Sequence, residues 1–175
     1  MTNQKHNETH VHAYERMLER VKDFTAEARD EVAPKLQDGL EAAREKATEL
    51  GELSREEAEK IGNYLKRDVY DAAKYLVSEK TDDLKDWFRF DVQLVEERLA
   101  ESFALLVDKT SIELQKLADR AREVGVWHTG EITGPGTLVC KECGEKIHFH
   151  KTGHIPPCPK CHATLYQRDH EADKS

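Results

Sequence analysis

Four cysteines, the only ones in the chain, stand as Cys140-Lys141-Glu142-Cys143 and Cys158-Pro159-Lys160-Cys161, with fourteen residues between the pairs. A C-x-x-C turn aims two sulfurs and its own backbone N–H groups at one point, and two such turns joined by a hairpin complete a tetrahedron. That spacing predicts one metal site with Cys140, Cys143, Cys158 and Cys161 as ligands and one Zn2+ per chain. Iron in the same four-sulfur shell, as in rubredoxin, is the alternative, because residue types alone separate the two ions poorly. Four thiolates close the shell and leave no position for a substrate water. Disulfides are disfavoured: no apolar run follows Met1-Thr2-Asn3-Gln4-Lys5, so no export signal is expected, and a reducing cytoplasm is the consistent compartment.

The segment that must hold these sulfurs changes texture after Gly125. Helical periodicity stops, glycine and proline become frequent, and short strand-like stretches appear around Trp127–Thr129, Thr137–Val139, Lys146–His150 and Thr164–Arg168, with a turn at Gly134-Pro135-Gly136. The expectation is a small antiparallel β zinc ribbon over residues 126–169, too poor in apolar side chains to fold without its metal. Gly144 permits the positive φ that lets backbone amides donate to the first pair of sulfurs. His162 holds the corresponding place after the second pair and predicts a less relaxed turn. His148 and His150 share one face of their strand, so they are weighed as a second metal site against a plain polar face.

Upstream, apolar residues recur at helical spacing from Val11 to Leu50 and again from Leu84 to Val124, with a shorter stripe of Ile61, Leu65, Val69, Ala72 and Leu76 between them. Gly51 supplies a stop and Ser54-Arg55-Glu56-Glu57 a capping box. Pro34 falls inside a stripe that keeps its phase, which predicts a kink in one helix rather than a break. No glycine or proline lies between Gly62 and Gly125, so a start near Thr81-Asp82-Asp83 competes with one long rod. The fold expected is mainly α: a long helical hairpin or three-helix, coiled-coil-like region, followed by the ribbon. Residues 1–8 are expected as a flexible tail, 9–125 as an acidic helical region, and 170–175 as a second flexible tail.

Composition narrows the function. The net charge of −8 falls on residues 1–124, while 125–175 balance at zero. Such a helical region repels phosphate backbones, and the ribbon's small basic surplus supports nucleic-acid binding only weakly. No Glu in the helical region is followed three positions later by His, which disfavours a rubrerythrin-like di-iron enzyme. P-loop, dinucleotide fingerprint and nucleophile elbow are all absent. No window of apolar residues is long enough to span a membrane.

The stretch Gly130-Glu131-Ile132-Thr133-Gly134-Pro135-Gly136-Thr137-Leu138-Val139-Cys140-x-x-Cys143-Gly144, with Pro157-Cys158-Pro159-x-Cys161, resembles the uncharacterised bacterial zinc ribbon-containing proteins of the YbeL-like kind. The resemblance spans nearly the whole chain and implies a bacterial cytoplasmic protein with zinc on the four cysteines; it implies no reaction. The expected function is therefore a non-enzymatic binding or adaptor role, with the ribbon as recognition tip and the helices as stalk, protein-partner surface or self-association element. A rubredoxin-like electron carrier and a nucleic-acid-associated accessory factor are the alternatives.

Overall fold

The computed structural model describes residues 2–27, 36–79, 97–106 and 126–169. Within them lie the helices α1 (Thr2–Glu27), α2 (Leu36–Glu49) and α3 (Arg55–Glu79) and a further helical stretch, α4, over 97–106. Six short strands follow: β1 (Trp127–His128), β2 (Ile132–Thr133), β3 (Gly136–Cys140), β4 (Lys146–Phe149), β5 (Gly153–His154) and β6 (Leu165–Arg168). The architecture is thus helices followed by a small antiparallel ribbon.

The apolar stripes meet in one helical core. Tyr14, Leu18 and Val21 of α1, Leu36 and Leu40 of α2, Leu65 and Val69 of α3, and Phe103 and Leu106 of α4 are all fully buried. The stripe is not followed everywhere: Phe24 and Leu50, which keep its phase, are 41% and 55% exposed. Phe24 lies in the last turn of α1 and Leu50 just beyond the end of α2.

Local signals at the α2–α3 connection are realised bond by bond. Gly51 takes a φ of 68°, and the N–H groups of Glu52 and Leu53 fold back onto the Ala47 carbonyl at 3.0 and 3.3 Å. The Ser54 N–H donates to Glu57 Oε2 at 2.8 Å while the Glu57 N–H donates to Ser54 Oγ at 3.2 Å, the reciprocal pair of a capping box. The Ser54 N–H, with His10 beside the carboxylate, holds the Glu57 carboxyl down at about 2. α2 and α3 then run antiparallel, Lys66 donating to Gln37 and Arg44 to Asn63.

Three expectations change. Residues 2–8 are helical rather than an irregular lead-in: α1 begins at Thr2. The stripe from Val11 to Leu50 is not one kinked helix, because α1 and α2 lie side by side: a Cβ built on Gly39 of α2 would stand 3.2 Å from Val21 and 3.3 Å from Phe24 of α1. Pro34 lies outside the described residues. The residue before a proline disfavours the α region, and periodicity alone cannot distinguish a kink from a reversal. The single-rod alternative also fails. Asp68 of α3 accepts a hydrogen bond from the Gly134 N–H, and Phe103 of α4 presses on that same Gly134. A continuous helix would hold residues 68 and 103 about 50 Å apart, at 1.5 Å per residue. The expected helix start at Thr81 and the aromatic cluster Trp87-Phe88-Arg89-Phe90 lie outside the described residues.

The ribbon is a four-stranded antiparallel sheet in the order β1-β6-β3-β4, with β2 and β5 pairing as a separate two-stranded ladder. That ladder was not foreseen, because two-residue strands carry no alternation to read. Its register sets Ile132 opposite His154 and Thr133 opposite Gly153.

The ribbon is docked against the helices by a buried polar network. Asp68, 0% exposed, accepts from Tyr14 Oη at 2.6 Å, Trp127 Nε1 at 2.9 Å and the Gly134 N–H at 2.9 Å. Arg168, its side chain also 0% exposed, places Nη2 3.5 Å from Asp68 and Nε 3.6 Å from Asp71. The indole of Trp127 has two guanidinium groups over its ring, Arg67 at 4.8 Å and Arg168 at 5.1 Å from the centroid. Arg67 completes the seam by donating to the Ile132 carbonyl and pairing with Glu131.

Candidate metal centre

Two knuckles with the same backbone plan position the sulfurs. In the first, the Gly144 N–H donates to the Cys140 carbonyl at 3.0 Å and the Cys140 N–H to the Glu145 carbonyl at 2.8 Å; in the second, His162 donates to Cys158 and Cys158 to Ala163, both at 2.9 Å. Each plan requires a left-handed residue just after its second cysteine, and Gly144 at φ 76° and His162 at φ 62° supply it. A side chain in this region costs about 1–2 kcal/mol. Gly144→Ala, which meets no neighbouring atom within 4 Å, should therefore lower the melting temperature of the metal-loaded chain through backbone strain alone. His162→Gly should not lower it, because relief of strain offsets the added freedom of the unfolded chain. Equal and parallel losses in the two variants would contradict this account.

The four sulfurs converge. Cys140 Sγ lies 3.6 Å from Cys161 Sγ, Cys143 Sγ lies 3.6 Å from Cys158 Sγ, and all four fall within 4.8 Å of one another. A disulfide would need about 2.05 Å. Zinc–sulfur bonds of about 2.3 Å in a tetrahedron place neighbouring sulfurs about 3.8 Å apart, so the cluster has the dimensions of a tetrahedral S4 shell.

Backbone amides point at it as well: the N–H of Glu145 at Cys143, those of Cys161 and Lys160 at Cys158, and that of Ala163 at Cys161. The metal-free thiols compete for ionisation. Desolvation raises Cys158, but amides and neighbouring sulfurs bring it down to about 7. At Cys161 the Ala163 amide favours the thiolate, yet desolvation and the other sulfurs push it up to about 12. A divalent cation removes that conflict by allowing all four to ionise together.

The site is also part of the ribbon's core. Cys140 and Cys158 are buried in a cluster with Trp127, Leu138, Ile155 and Tyr166, against which Cys143, Ile147, Phe149 and Ala163 pack. Tyr166 donates its hydroxyl to the Pro156 carbonyl at 2.9 Å, bracing the approach to the second knuckle. Burial, and then the negative charge of the sulfurs, push the Tyr166 hydroxyl up to about 12.

The ribbon histidines go elsewhere. His148 Nδ1 lies 2.8 Å from Thr137 Oγ1, and His154 bridges the Gly130 and Asn7 carbonyls. Among the described residues, His148 and His150 belong to no convergent group of metal-ligating side chains. Such a group does form from His6, His10 and Glu57, whose ligand atoms lie within 4.8 Å of one another. The sequence reading missed it by assigning His6 to a frayed tail. The one-turn spacing His6-x-x-x-His10 was the available signal.

Residues 22–170 match the family model described as a zinc-ribbon containing domain. Curated relatives are the "Uncharacterized protein YbeL" of Escherichia coli strain K12 and its counterparts in strains O6:H1 and O157:H7. Each is 30% identical over 133 residues, covering 74% of this chain and 79% of the relative. No solved structure matches the chain. Among the described residues, no helix is long and apolar enough to cross a membrane. With paired knuckles, a converged sulfur quartet and a family match across the helices as well as the ribbon, the chain belongs to the family of YbeL-like proteins built around a zinc-ribbon containing domain.

Proposed function

We propose that the protein is a non-enzymatic binding module of a reducing compartment, the cytoplasm, in which one zinc ion shapes the ribbon and the ribbon recognises a protein partner. The observation that carries this reading is the four-sulfur cluster. Its closed shell offers substrate no open coordination position, so the metal's contribution is shape. The sheet order adds direction. One edge strand, β1, carries Trp127 into the helical seam, and the other edge strand, β4, lies on the far side of the sheet. β4 alternates exposed Lys146 and His148 with half-buried Ile147 and Phe149, a pattern suited to accepting an added strand. The acidic helices favour a protein over a nucleic acid as that partner.

Elemental analysis of protein purified in metal-replete medium should give one zinc per chain and no colour. A red, iron-loaded protein with reversible redox behaviour would replace this reading with electron transfer. A photo-crosslinking side chain at position 150, just beyond β4, should give a defined protein adduct that chelation abolishes. Absence of any adduct, or steeply salt-dependent oligonucleotide binding in its place, would refute the protein-partner assignment.

A further inference from the structure

His6 and His10 stand one helical turn apart on α1, and their rings meet with centroids 4.4 Å apart. Both Nε2 atoms turn to the same oxygen, Glu57 Oε1 at the start of α3, at 3.6 Å from His6 and 3.1 Å from His10. In a tetrahedral site with bonds of about 2.0–2.1 Å, ligand atoms are about 3.4 Å from one another. The two separations, 3.1 and 3.6 Å, bracket that edge.

The carboxylate is also held in place from behind, because its other oxygen, Oε2, accepts the Ser54 N–H at 2.8 Å. Such an outer hydrogen bond fixes the orientation of a ligating carboxylate. One side of the cluster is covered and the other open: the His10 side chain is 20% exposed, Glu57 32% and His6 63%. Two imidazoles, one carboxylate and a solvent-facing side make a donor set for a divalent first-row cation that retains at least one water.

We propose that His6, His10 and Glu57 form a second, open site for a divalent transition-metal cation, zinc foremost, that fastens the first turns of α1 to the start of α3. The ribbon adjoins the same turns, since His154 Nε2 lies 3.1 Å from the Asn7 carbonyl. Occupancy of this site therefore tightens a place where two helices and the ribbon meet. It differs in kind from the sulfur quartet: nitrogen and oxygen donors, an open position, and weaker, exchangeable binding.

The test uses the full chain with its ribbon already loaded with one zinc. Calorimetric titration with further zinc should show a second, weaker equivalent that raises the melting temperature. His6→Ala should lower that second affinity by about tenfold or more, since loss of even an outer-shell partner costs about 10–100-fold, while the first equivalent stays unchanged. His6 is largely exposed, so this variant should match the parent in melting before the second equivalent is added. Cobalt(II) gives an independent readout. Added to the zinc-loaded chain, it should give only weak visible bands of nitrogen and oxygen ligation, without sulfur-to-metal charge transfer, and those bands should disappear in His6→Ala. A titration that ends at one zinc per chain, or a second equivalent that survives in His6→Ala, would overturn the proposal.

Discussion

Asp68→Ala should destabilise the metal-loaded protein by about 3–5 kcal/mol, the range for removing one partner of a buried ion pair. The cost comes from what remains behind. Arg168 would keep its charge at 0% exposure, and Tyr14 Oη, Trp127 Nε1 and the Gly134 N–H would each lose an acceptor inside the fold. In a protein of this size about 1 kcal/mol corresponds to about 2–4 °C, so melting should fall by about 6–20 °C. Trp127 reports the seam directly, and in a Trp87→Phe background its emission should shift to the red as the indole loses its partner. Adding Arg168→Leu to Asp68→Ala should cost less than the sum of the two single losses, because both side chains belong to one buried ion-pair network that also includes Asp71. A fall of only 2 °C, or strict additivity of the two substitutions, would show that the network is not coupled as described.

Removing the metal, by chelation or by Cys158→Ser, should unfold the ribbon and also weaken the helices. Apparent binding energies of structural zinc sites are about 10–16 kcal/mol, more than so small a ribbon can supply from its own core. Strand content should therefore disappear. The helices have a smaller but measurable stake, since Trp127, Gly134 and Arg168, which satisfy Asp68, all belong to the ribbon. Helical circular dichroism should persist at low temperature yet melt several degrees earlier than in the loaded protein. In the Asp68→Ala variant, metal removal should add little to that helical loss, because the same interlock is already broken. An unchanged helical melt on chelation would show that ribbon and helices are energetically independent.

The sulfur quartet was legible because its information is local. Each C-x-x-C turn positions its own sulfurs by short-range backbone hydrogen bonds, so spacing alone announces the site. The same holds for Gly51 and for Ser54 with Glu57, where residue type dictates dihedral angle or partner within four positions. Helical periodicity likewise identified most of the side chains that form the core. The His6 and His10 pair was locally visible, but its third member, Glu57, lies 47 positions beyond His10 and was read only as a cap.

What the amino-acid sequence determined by itself, then, was the order of helices before ribbon, most of the apolar faces and the metal-binding chemistry. Tertiary structure alone decided that α1 and α2 lie side by side, that α3 and α4 are separate, and that the ribbon docks through Asp68 and Arg168. Asp68 and Arg168 are one hundred positions apart, and in sequence each looks like any other charged residue on a solvated face. Their burial follows from packing that no local pattern encodes: a charge inside a protein is tolerated only where distant segments bring it an opposite charge and hydrogen-bond partners.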